Sequence, residues 1–120
     1  MSQVAQEVDS NAASVTASSP LGLLGTYQVP FSFSQSSTST RTVSSTLQNV
    51  PPGTTMATIA IQAFSADYTN NEQYGFGQYS VSMGLNGLSS ASCTITLRDN
   101  HTNSRSWEGS ATGIVTFYGV

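Results

Sequence analysis

The chain has 120 residues, of which 8% are charged, against roughly a quarter in an ordinary soluble domain. It contains no lysine, and its three arginines (Arg41, Arg98, Arg105) are scattered. A net charge of −3 and a pI near 4.6 exclude the basic stripe that binds nucleic acid and the polybasic cluster that binds anionic membranes.

Serine and threonine fill the gap left by charge, and many alternate one-for-one with apolar residues. Five tyrosines, five phenylalanines and Trp107 argue against disorder for the bulk of the chain. The length fits one domain. With Cys93 as the single cysteine, no internal disulfide forms, and the fold must hold without covalent staples. No apolar run approaches the ~18 residues of a spanning helix, so no membrane insertion is expected.

Residues 1–20 read as a disordered or loosely docked tail, rich in Ser, Ala, Asn and Gln with isolated valines. The stretch has no basic n-region and no apolar h-region, so no secretory signal is visible. The apolar but glycine-broken Leu21 to Gly25 is expected to cover a sheet edge or a sandwich mouth.

Strand patterning starts at Thr26. Tyr27, Val29, Phe31 and Phe33 share one phase, and Pro30 on the other phase marks an edge strand or a bulge, because it donates nothing to a ladder. A weaker strand covers Arg41 to Gln48, with Val43 and Leu47 in phase. Asn49-Val50-Pro51-Pro52-Gly53 is the strongest turn signal in the chain. In the next strand, Thr55 to Ala66, Ala57, Ile59, Ile61 and Ala63 share a face until Phe64 breaks phase, which predicts a bulge or twist. Tyr79, Val81, Met83 and Leu85 define another strand. Asn86-Gly87 then predicts a type I′ hairpin turn. Ala91, Cys93, Ile95 and Leu97 point inward from the strand that follows. Asp99 to Asn103 reads as a turn, Ser104 to Glu108 as a short strand, and Gly113 to Tyr118 as the last strand.

No segment shows helical spacing. The pattern predicts an all-β fold, a single antiparallel β-sandwich of six or seven short strands over residues 21–120, with a small β-barrel as the alternative.

Residues able to carry chemistry are few. His101 is the single histidine and falls in a turn. Cys93 is in phase with core residues. Together they supply no metal site, which needs three or four ligands, and no metal or cofactor is expected. No G-x-S-x-G elbow accompanies the many serines. The carboxylates Asp67, Glu72, Asp99 and Glu108 are read as spread over loops. The most suggestive stretch runs from Asp67 to Phe76. Asp67, Tyr68, Asn70, Asn71, Glu72 and Tyr74 mix aromatic rings with amides and carboxylates, and those groups suit a glycan or a protein partner. Trp107 is a candidate anchor of the same kind, or else a core residue. The function expected is a non-enzymatic binding or adhesion module, secreted or displayed at a cell surface. The rivals are a structural or assembly subunit and a small hydrolase.

Overall fold

A computed structural model describes residues 21–69, 75–101 and 105–120. The tail expected over residues 1–20 lies outside the described residues, as do Asn70, Asn71, Glu72 and Tyr74 from the suggestive loop. The chain forms six strands: β1 (Gly22–Ser36), β2 (Thr40–Thr46), β3 (Thr54–Tyr68), β4 (Phe76–Asn86), β5 (Ser90–Asp99) and β6 (Trp107–Gly119). They pair antiparallel in two three-stranded sheets, β1-β6-β3 and β2-β5-β4. The two sheets do not join, so the fold is a sandwich and not the barrel alternative.

Period-two alternation puts apolar side chains between the sheets and hydroxyls outside. Val29, Phe31 and Phe33 from β1, Ala91, Cys93, Ile95 and Leu97 from β5, and Trp107, Ala111, Val115 and Phe117 from β6 form the core. The central strands β5 and β6 supply most of it, since each has a neighbour on both sides. Burying one such large side chain contributes about 1.5–3 kcal/mol. On the outside of the second sheet, threonines face each other across the β2–β5 ladder. Thr40 and Thr96 join hydroxyls at 2.8 Å, and Thr42 and Thr94 at 2.7 Å. Paired hydroxyls of this kind replace the cross-strand ion pairs of a more charged sheet.

Two irregularities were legible in the sequence. Pro30 lies in β1, which has β6 as its one neighbour in the sheet and is therefore an edge strand. The phase break at Phe64 is a bulge: the β3–β6 register slips between Ile61 and Ala63. One extra residue, Gln62, is accommodated there, and Phe64 and Ala66 take over the inward face from Ile59 and Ile61. Gln62 accepts a 3.0 Å bond from Gln28 Nε2 across the outer face.

Four expectations need correction. Gly22 to Gly25 does not cover an edge; it belongs to β1 itself, where a second register slip leaves Leu23 exposed and turns Leu24 onto the core. The strands are not all short, since β1 and β3 each run for 15 residues. No separate strand precedes β6 among the described residues; Trp107 and Glu108 open β6 instead. The Asn86-Gly87 turn is not type I′. Gly87 alone has positive φ, at 57°, whereas type I′ requires it at both central residues. Ser89 N closes the turn on Asn86 O at 3.1 Å, and the Ser89 hydroxyl donates to the same oxygen at 2.8 Å.

Candidate functional site

The site is built at one end of the first sheet, where β3 and β6 run side by side. Their register places Ser65 against Ser110, Ala66 against Gly109, Asp67 against Glu108 and Tyr68 against Trp107. Alternation sorts these pairs by face. Ala66 and Trp107 point into the core. Ser65, Asp67, Glu108 and Ser110 are exposed on the outer face. The carboxylates were read from sequence as spread over loops. Two of them instead stand opposite each other on neighbouring strands.

Short side chains beside this pair leave a depression of about 280 Å³, lined by Phe33, Ser65, Asp67, Glu108, Gly109 and Ser110. A second depression of about 190 Å³ adjoins it near the bulge and shares Ser65 and Ser110. Gly109 stands opposite Ala66, on the core phase, where the two strands approach closely. A Cβ on it would fall 2.6 Å from the Ser65 carbonyl oxygen. The result is a shallow groove along the β3–β6 seam, hydroxyl-lined, with two carboxylates at one end.

Beneath the groove the scaffold is rigidly tied. Trp107 is fully buried and stacks on Phe33, with ring centroids 5.8 Å apart. Its indole Nε1 donates to Thr38 O at 2.9 Å. The Arg41 guanidinium lies over the indole at 3.9 Å and donates to the Trp107 carbonyl at 3.0 Å and to the Ser34 carbonyl. Desolvation lowers the Arg41 pKa from its usual value, yet a guanidinium stays charged at any ordinary pH. Trp107 is thus a core residue, not a surface anchor.

The corner next to the groove is held by a second network. Asp99 is buried at the end of β5, not displayed on a loop. Arg105 Nε donates to its Oδ2 at 2.9 Å, and the His101 amide donates to its Oδ1 at 3.0 Å. His101 itself is exposed in the turn, as expected. Thr69 bonds Ser106 through its amide to the carbonyl at 3.0 Å and through its hydroxyl to Oγ at 2.9 Å, with the carbonyl 3.3 Å from the same hydroxyl. Tyr68 is half-buried here. Burial raises the phenol pKa, Asp99 adds to the rise, and Arg105 offsets part of it.

Of the residues singled out in the sequence, the structure brings Asp67 into the groove and puts Tyr68 on the core side of the same strand. Asn70, Asn71, Glu72 and Tyr74 are outside the described residues. Sequence reasoning missed Glu108 as the partner of Asp67, and Ser65, Gly109 and Ser110 as the floor. Their exposure follows from alternation, but their pairing requires the β3–β6 register, which leaves no local signal. Among the described residues, no three of His, Cys, Asp and Glu converge to hold a metal ion. Two acceptor carboxylates beside hydroxyls that both donate and accept are equipped to hold a neutral ligand rich in O–H groups. Comparison with known proteins finds no matching family model, no matching curated protein and no matching solved structure.

Proposed function

We propose that this chain is a non-enzymatic binding module, exported or surface-displayed, that takes a neutral glycan in the β3–β6 groove. The observation that supports this reading is the cross-strand pair Asp67–Glu108 at the end of a hydroxyl-lined depression. Each carboxylate accepts hydrogen bonds from ligand hydroxyls, Ser65 and Ser110 complete the set, and the tied scaffold below holds the strands in place. The negative charge disfavours phosphorylated or sulfated ligands.

The test is a glycan-array screen of the intact chain, followed by calorimetry on Asp67→Asn and Glu108→Gln. Binding of a neutral oligosaccharide, weakened at least tenfold in either variant with the fold intact, would support the reading. Failure of the intact chain to bind any glycan, or binding unaffected by both variants, would remove it. The rival reading as an assembly subunit draws on a different feature, the open flank of the sandwich.

A further inference from the structure

The two flanks of the sandwich are finished differently. On the β1–β2 flank, the core residues Val29, Phe31 and Phe33 are at most 3% exposed. Arg41 of β2 reaches across to the Ser34 carbonyl of β1, and Trp107 bonds Thr38 in the connection between these strands. Pro30 guards the β1 edge. Paired in the ladder with β6, it turns its missing donor and its ring toward the free side. β2 is seven residues long and carries the charge of Arg41. Short strands, charge and proline are the usual devices that stop an edge from pairing.

The β3–β4 flank has neither proline nor a short strand among the described residues, and its one charge, Asp67, stands near the end of β3. From Thr54 to Ala66 the β3 edge has neither charge nor proline. Ile61 and Phe64, which face the interior, remain 43% and 44% exposed. Across the gap stand Tyr79, Val81 and Met83 of β4, all half-buried, and Phe64 meets Tyr79 edge-on at 5.5 Å. The β3–β6 register slips between Thr54 and Met56 and again at the Gln62 bulge, and leaves Met56 to Ile61 as a regular edge.

We propose that this flank is the interface of a homodimer, formed when the Ala57–Ile61 edge of β3 pairs antiparallel with the same edge of a second copy. Charge selects the arrangement. Parallel pairing would set Asp67 beside its own copy. Antiparallel pairing about Ile59 carries the two Asp67 carboxylates to opposite ends. That register also preserves the faces of the sheet. Ile59 meets its symmetry copy, Ala57 meets the copy of Ile61 on the inner side, and Thr58 meets the copy of Ala60 on the outer side. An edge of this kind is self-complementary, so a two-fold axis satisfies both copies at once. The sheet continues across the axis as β1-β6-β3-β3-β6-β1. The proposal does not depend on the glycan reading.

Sedimentation velocity on the intact chain, over a concentration series from micromolar upward, tests it. The expected result is a reversible monomer–dimer equilibrium. Ile61→Lys should raise the dissociation constant by at least about tenfold, through loss of an apolar anchor and a charge set against the copy's Ala57 on the pairing edge. Thr42→Lys, on the far outer face, should leave it unchanged. Circular dichroism of each variant separates a lost interface from a lost fold. Hydrogen exchange should show the free-edge amides of Ala57 to Ile61 protected in the dimer and released in Ile61→Lys. A monomer at every concentration overturns the proposal. So does a dimer that Ile61→Lys leaves intact, or one abolished by deletion of residues 1–20 and not by Ile61→Lys.

Discussion

Arg41 on β2 covers the face of Trp107 on β6, with its guanidinium carbon 3.9 Å from the ring centroid. The two residues come from different sheets and lie 66 positions apart in the chain. Their contact ties the sandwich together at the end that carries the groove. A guanidinium suits this place because its flat face stacks on the indole while its rim donates to carbonyls.

Arg41→Lys should therefore not be a neutral exchange. It keeps the charge but loses the stacking plane and the forked donors to the Ser34 and Trp107 carbonyls. We expect a loss of about 1–2 kcal/mol by chemical denaturation. Trp107→Ala should cost more, about 3–5 kcal/mol, as a cavity in the core. A Trp107→Ala variant of undiminished stability would contradict the core placement of this ring.

Asp67 and Glu108 face each other as like charges across one ladder. Direct opposition of like charges is destabilising. Neutralising either one, by Asp67→Asn or Glu108→Gln, should stabilise the fold by a few tenths of a kcal/mol, about 0.2–1 at most. The gain should shrink at high salt, because both carboxylates are exposed. Denaturation midpoints at low and high ionic strength would show it. A loss of stability in both variants would mean that the pair has a structural partner. A residue retained against its own stability is what a binding role predicts.

Gly109→Ala should be severely destabilising for a residue of such small change. Its Cβ would meet a backbone oxygen at 2.6 Å, and also Ala66 at 3.1 Å. Backbone cannot rotate away as a side chain does, so the β3–β6 ladder must part. We expect a loss of about 2 kcal/mol or more, in the range of overpacked core sites. Thermal melting of the variant would measure it, and an unchanged midpoint would show that the two strands are further apart than 2.6 Å implies.

Cys93 is fully buried, and desolvation raises its thiol pKa above the ordinary 9.0. Native-state labelling by a thiol reagent should be slow, and Cys93→Ser should cost roughly 1–3 kcal/mol for a hydroxyl in an apolar site. The same shift gives a pH dependence. A group whose folded-state pKa is raised favours the protonated fold. Its contribution is full below the unfolded value and is lost as pH rises through the folded value. Melting temperature should therefore begin to fall near pH 9. Tyr79 and Tyr68 act in the same direction from pH 10.0, both chiefly through desolvation. Cys93→Ala should remove the first part of the decline and leave the second. A melting temperature that is flat from pH 8 to pH 11 would contradict all three placements.

Much of the fold was legible in the residues themselves. Alternation in Tyr27–Phe33 and Ala91–Leu97 assigns inward and outward faces, because a strand repeats every two residues and that period needs no partner to be seen. Pro30 announced an edge by its missing donor, and Phe64 announced a bulge by breaking phase. The tertiary structure decided which strands are neighbours. Cross-strand pairing depends on register between distant segments, and nothing local to Asp67 says that Glu108 stands opposite it. Arg41, Trp107, Asp99 and Arg105 behave likewise. Each side chain is polar or amphipathic, and its place depends on which carbonyl or counter-charge the packed sheets bring within reach. The open flank is also tertiary, since an exposed edge exists only once the order of strands has left β3 without a second neighbour.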